Sequence, residues 1–185
     1  MSSNAFRPKT FRSILAVPAT SPRFLEKAAQ GPADAIFIDL EDAVINALKP
    51  KARADAIAAI NGLDWGERIV AVRVNGLGTS WGCRDILDVV EACPRLDYIL
   101  LPKCEAPGDV HAVEVMIRSA EAAASRERKA GIMGLSKRRA ALPMSRRSRR
   151  PAAGSMRWCS VAATISSTSA ASSGRSARLP PTMWC

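Results

Sequence analysis

Residues 128–185 contain no Asp and no Glu, although the chain has seventeen acids in all. The same stretch holds twelve Lys and Arg, a net charge of +12, whereas residues 1–127 carry fifteen basic residues against all seventeen acids, a net charge of −2. The formal charge of +10 therefore belongs to the tail and says nothing about the part that folds. Histidine is almost absent, His111 being the single one. The five cysteines (Cys83, Cys93, Cys104, Cys159 and Cys185) form no CxxC pair, which excludes a zinc site built from clustered thiolates and imidazoles. An odd number of unevenly spaced thiols reads as reduced and cytoplasmic. No apolar run approaches the roughly 20 residues that span a bilayer. The first residues, "MSSNAFRPKTFRS", lack the apolar centre of a signal peptide.

What is present up to residue 127 is an alternation. Four short apolar runs, "SILAVP" (13–18), "AIFIDL" (35–40), "IVAVRV" (69–74) and "YILLP" (98–102), read as strands buried on both faces. Between and after them lie helical patterns at 21–30, 49–62, 82–93 and 107–126. Ser21 and Pro22 suit an N-cap and first helical position, and Gly62 suits a helix end. Ile86, Val89 and Val90 share one helical face, as do Val110, Val113, Met116 and Ile117. Strands alternating with helices predict an α/β fold with parallel strands and crossover helices. No GxGxxG follows the first strand and no GxxxxGK[ST] occurs, so a (β/α)8 barrel is favoured over a nucleotide-binding doubly wound sheet. Four βα units make the N-terminal half of such a barrel, which takes roughly 250 residues when complete.

In that fold the chemistry sits at the C-terminal ends of the strands. The second strand ends in "IDLEDAV", giving Asp39, Glu41 and Asp42. The third ends in "VRVNGLGT", giving Arg73 and Asn75, and the fourth in "LLPKCE", giving Lys103 and Glu105. A guanidinium on an apolar strand needs a carboxylate, from substrate or from protein. Lys103 reads as an ion-pair partner, His111 as a surface or packing residue, and Gly76 with Gly78 as a turn.

These stretches, "FRSILAVPATSPRFLEKAAQGPADAIFIDLEDAV", "INGLDWGERIVAVRVNGLGTSW" and "RLDYILLPKCE", resemble the citrate lyase β-subunit/HpcH–HpaI aldolase superfamily, nearest to its malyl-CoA and β-methylmalyl-CoA lyases. The likeness spans roughly residues 11–125 and rests on "DLEDAV", "RVN" and "LPK" in that order. It implies a Mg2+-dependent barrel lyase, usually homo-oligomeric, that cleaves or forms a carbon–carbon bond in a 3-hydroxyacyl-CoA. Arg73 would then bind the substrate carboxylate, with Asn75 as a further substrate contact. Lys103 and Asp42 would be catalytic, Arg12 would face the CoA, and Asp39, Glu41 and Asp42 would stand behind the metal. The mechanism implied is retro-aldol or Claisen chemistry with a stabilised thioester enolate.

The family's direct metal ligands belong to later patterns, resembling "IETA" and "FGxxDY", which this chain does not show after residue 127. A reading frame shifted by one base permits both: an aliphatic residue and "ETA" across Leu135 to Ala140, and "DVEEIAAASRRLDALVFGGGDY" from Met144 to Thr164. The sequence thus reads as a 1–127 partial lyase domain followed by a 128–185 out-of-frame tail, poorly structured. A base inserted or deleted near residues 126–135 accounts for it, and an inactive chain is expected. Two alternatives remain: a non-catalytic half-barrel that associates with an intact paralogue, and a nucleic-acid-binding protein using "KRRAALPMSRRSRR" (137–150). Against the last stands the lack of any recognition module. "CSVAATI" (159–165) has the makings of an isolated strand.

Overall fold

The structure is a computed structural model and describes residues 10–135 together with the backbone of Cys159 and Ser160. Five strands, β1 (Ile14–Pro18), β2 (Ala35–Asp39), β3 (Ile69–Arg73), β4 (Tyr98–Leu101) and β5 (Gly131–Gly134), run parallel. A two-residue β6 (Cys159–Ser160) pairs with β5 in the same sense. The helices α1 (Pro22–Gln30), α2 (Lys49–Gly62), α3 (Gly82–Ala92) and α4 (Pro107–Ala123) provide the crossovers, and a 3-10 turn at Asn46–Leu48 leads into α2.

Strand order in the sheet is β1-β2-β3-β4-β5-β6, the order of the chain. A doubly wound sheet reverses direction at a switch point, and none occurs among the described strands. Helix residues go to one side only. Leu25, Ala56, Ile86, Val89, Val113 and Ile117 pack with Ile36, Ile38, Val70, Val72, Ile99 and Leu101 of the strands. The other face gathers Phe37, Ala71, Tyr98, Leu100, Met133 and Leu135, with no helical residue among them. Side chains alternate across a strand, so one set faces the helices and the other faces inward. That is the winding of a barrel wall, and it explains why each strand reads as a continuous apolar run.

The sequence expectations for strands and helices hold to within a residue or two at most ends. Four details differ. Helix α4 stops at Ala123, earlier than the pattern at 107–126 suggests. Ser21 makes no side-chain cap, whereas Gly62 does end α2, the chain leaving through Leu63 in extended conformation. The sheet also runs past residue 127, because β5 falls inside the stretch read as tail, and its Gly131–Gly134 backbone is in register with Tyr98–Leu101. The basic stretch at 137–150 lies outside the described residues. At the sequence "CSVAATI", the described Cys159 and Ser160 pair with β5, so they do not stand as an isolated strand.

One close approach fixes α3 against β3. A Cβ on Gly82 would lie 2.5 Å from the carbonyl oxygen of Gly76 and 2.8 Å from that of Asn75. Both obstacles are backbone and cannot swing aside. In an ordinary helix Gly→Ala stabilises by about 1 kcal/mol. At this position Gly82→Ala is expected to reverse the sign and destabilise by about 1–3 kcal/mol through overpacking. Urea unfolding of the two proteins checks it.

Candidate functional site

Asp39 and Arg73 are register partners at the last rungs of β2 and β3. By alternation they share the inward face with Ala35, Phe37, Ile69 and Ala71. Arg73 Nε donates to Asp39 Oδ1 at 2.8 Å and Nη2 donates to Asp39 Oδ2, a two-pronged contact between buried side chains. The remaining arm, Nη1, lies 3.4 Å from Glu41 Oε2 and 3.5 Å from Asp42 Oδ2. Beneath, the guanidinium sits 5.6 Å above the centre of the Phe37 ring, a cation–π distance. The partner that the sequence left open between substrate and protein is thus a protein carboxylate at the Nε/Nη2 edge. Burial works against the Arg73 charge, but the bonded Asp39 carboxylate, with Glu41 and Asp42, outweighs it and raises its pKa.

The loop after β2 is shaped by its own side chains. Asp39 Oδ1 accepts from the Glu41 N–H at 2.8 Å and Oδ2 from the Ala43 N–H at 3.3 Å, so the "DLEDA" turn folds around its first carboxylate. From the other side the buried Lys49 ammonium donates to the carbonyls of Leu40 at 2.7 Å and Glu41 at 2.6 Å. Burial pulls the Lys49 pKa down, opposed by Asp39, Asp85, Glu41 and Asp42.

Lys103 follows β4 with a left-handed backbone, φ 51°, a conformation that costs a non-glycine residue about 1 kcal/mol or more. It aims the side chain back across the strand ends, where Nζ lies 3.0 Å from Glu41 Oε1. That carboxylate holds the Lys103 ammonium above the usual lysine range. Lys103 is an ion-pair partner as expected, though its side chain is 60% exposed. Glu41, Asp42, Lys49, Asn75, Lys103 and Asp109 line one cavity of about 500 Å3 at this end of the sheet.

Asn75 is held by α3. Its N–H and its Nδ2 donate to Asp85 Oδ2 at 3.1 and 2.6 Å, and Asp85 Oδ1 accepts from Arg53 Nε at 2.8 Å. Gly76 to Thr79 is a turn, closed by the Thr79 N–H on the Gly76 carbonyl. Asp109 accepts from the N–H groups of Glu105 and Ala106, both at 2.9 Å, and so caps α4. His111 is exposed on α4, 3.8 Å from Glu114.

Arg12 does not join the site. It precedes β1, at the N-terminal ends of parallel strands, the face opposite Arg73. Its backbone N–H donates to Asp34 Oδ2 at 2.9 Å and its guanidinium lies 3.7 Å from Asp34 Oδ1. Arg12, which the resemblance turns toward CoA, lies beside a carboxylate at the far end of the sheet. Sequence reasoning missed Lys49, Arg53 and Asp85 altogether. Asp85 reads in sequence as an acid in a helix's first turn, and Lys49 as one of two lysines at a helix start.

Among the described residues no group of three or more His, Cys, Asp or Glu is arranged to hold a metal ion. Arg73, Lys103 and the nearby Lys49 set three positive charges against Asp39, Glu41 and Asp42. The described residues therefore do not fit an inner-sphere Mg2+ site, and Asp42, with 56% of its side chain exposed, alone of the three faces open solvent.

Residues 12–167 match the family described as HpcH/HpaI aldolase/citrate lyase. The chain belongs to that family. An L-malyl-CoA/beta-methylmalyl-CoA lyase of Cereibacter sphaeroides is 46% identical over 110 residues, 59% of this chain and 35% of that protein. A (3S)-malyl-CoA thioesterase of the same species is 42% identical over 113 residues, 61% of this chain and 39% of that protein. The chain thus spans little more than a third of the length of these curated relatives. The protein CitE of Mycobacterium tuberculosis, solved with magnesium and acetoacetate, is 30% identical with a TM-score of 0.51, covering 74% of this chain and 46% of that one. A Haloferax volcanii malate synthase, at 15% identity, TM-score 0.62, and 70% and 42% coverage, shares the fold. No helix among the described residues is long and apolar enough to cross a membrane.

Removing one member of a buried ion pair strands the other, at about 3–5 kcal/mol. Asp39→Asn is expected to destabilise by that order, measured by urea unfolding, and by far more than Arg12→Ala at the exposed opposite face. The raised Lys103 pKa has a definite sign. Its contribution to stability is fully present below the ordinary value of 10.5 and is lost as pH rises through the higher folded value. In Glu41→Gln the Lys103 titration, followed by NMR of methylated lysines, should fall back toward the ordinary range.

Proposed function

We propose that this chain carries the substrate-carboxylate side of a CoA-thioester carbon–carbon lyase site of the malyl-CoA or citryl-CoA type. The observation that carries the reading is the convergence of Arg73 and Lys103 on Glu41 at the C-terminal strand ends, beside an open cavity. Arg73 Nη1 is the arm not bonded to Asp39. Together with the Lys103 ammonium it offers two cations to a carboxylate that displaces the long Arg73 contacts to Glu41 and Asp42 and competes with Glu41 for Lys103. A 2-oxo acid or the acid end of a 3-hydroxyacyl-CoA has that charge. In this reading Asp39 orients Arg73, Lys49 fixes the loop, and Asp42 faces the reacting centre. A magnesium ion, were one held there, would supply Lewis-acid polarisation of a 2-oxo acid's carbonyl. The described residues give it no inner ligand set, and residues 128–185 contribute no carboxylate.

We therefore propose further that the chain as it stands binds acids but does not turn over. The register of β5 with β4 supports an intact reading frame through Gly134. The shifted frame that permits "ETA" begins at Leu135, which puts the break at the end of that strand.

Two measurements test the reading. The purified 185-residue chain with Mg2+ and malyl-CoA is expected to release no glyoxylate above background, and appreciable release would overturn the inactivity. Sequencing genomic DNA across codons 120–165 is expected to reveal one base gained or lost relative to the frame that encodes residues 1–134. An unbroken frame sinks that explanation of the tail.

A further inference from the structure

We infer that Asn75 presents its side-chain carbonyl oxygen to the cavity as a neutral acceptor for a ligand hydroxyl, and that Asp85 is the positioning residue that keeps the amide turned that way. The ligand's identity as a hydroxy acid rests on the function proposed above; the orientation of the amide does not.

The orientation follows from the partner. Asn75 Nδ2 lies 2.6 Å from Asp85 Oδ2. Asp85 is fully buried and is ion-paired to Arg53 at 2.8 Å, so it is an anion with no hydrogen to offer. Only the NH2 branch of the amide can face it. The carbonyl branch must point the other way. Arg53 also binds Asp88 at 2.7 Å, which ties the arrangement to α2 and α3 together.

The carbonyl branch is not spent elsewhere. No hydrogen bond to Asn75 Oδ1 exists among the described residues. Nor is the oxygen sealed in, since Asn75 Oδ1 is not among the fully buried side-chain oxygens and nitrogens of the described residues that lack a partner. Asn75 as a whole is only 3% exposed, yet it lines the cavity with Glu41, Asp42 and Lys103. An amide so buried, with its NH2 branch committed to Asp85 and its residue on the cavity wall, is placed to accept from what enters.

The neighbours define what it accepts. Arg73 and Lys103 donate and carry charge, so they address the ligand's carboxylate. Glu41 and Asp42 accept but are anions, and a cationic or acidic donor would suit them. A neutral acceptor beside a carboxylate-binding pair matches an uncharged hydroxyl near an acid group. A site built to bond a hydroxyl rejects the analogue lacking it, because its buried acceptor is then left dry and unpaired.

The test uses the full 185-residue chain, isothermal titration calorimetry, and three dicarboxylates as probes: (S)-malate, succinate and 2-methoxysuccinate. Malate is expected to bind roughly fivefold or more tighter than succinate. Methoxysuccinate, which keeps the oxygen but cannot donate, should gain nothing over succinate. Asp85→Asn frees the amide to turn, because the new side chain can itself donate to Asn75 Oδ1. It should bring malate down to the succinate level. Equal wild-type affinities for malate and succinate overturn this inference and leave the carboxylate reading intact. Failure of all three acids to bind overturns the carboxylate reading, and the hydroxyl assignment with it. A malate preference that survives in folded Asp85→Asn, or that methoxysuccinate shares, removes the role given to the amide. Should Asp85→Asn not fold, the three wild-type affinities decide.

Discussion

The buried pair of Arg73 with Asp39 is the constraint on which the site depends. A guanidinium inside an apolar sheet is affordable only when a carboxylate meets it with good geometry. Register supplies that geometry: β2 and β3 end on the same rung, and alternation turns both side chains inward. The pair then dictates more than its own energy. Asp39, fixed by Arg73, uses its other lone pairs to fold the turn that presents Glu41 and Asp42. Glu41 in turn receives Lys103 from β4. Three strand ends are thus linked through one ion pair and its neighbours.

Behind this front stand groups whose bonds go to the loops themselves. Lys49 grips two successive carbonyls of the loop after β2. Asp85 grips the backbone and side chain of Asn75 after β3. Gly82 lets the first turn of α3 lie against the Asn75–Gly76 backbone. Each is a crossover residue acting on a strand end. The helices therefore do two things at once: they cover the outward face with Ile, Val and Leu, and their first turns hold the loops still. Precision at the cavity comes from that second role.

How much could be read beforehand follows from the range of the interactions involved. Strands and helices were legible because burial on both faces writes an apolar run and one-sided burial writes a helical stripe, both local signals. Asp39, Glu41, Asp42, Arg73, Asn75 and Lys103 were legible because charge at the end of an apolar run is conspicuous. Asp85 and Lys49 were not, since a first-turn acid and a helix-start lysine are ordinary on any surface helix. The place of Arg12 was not legible for the converse reason: a charge beside a strand looks the same at either end until the chain direction is set against Arg73.

The sequence by itself determined the parallel βα alternation, the set of charged strand ends and the change of composition after residue 127, because each rests on residues near one another in the chain. Tertiary structure decided which charges meet. It gave Arg73 to Asp39 rather than leaving it open, sent Arg12 to Asp34 on the opposite face, and turned the Asn75 amide toward Asp85. These pairings depend on strand register and helix docking between segments ten to more than thirty residues apart, and no local pattern encodes a distance through space.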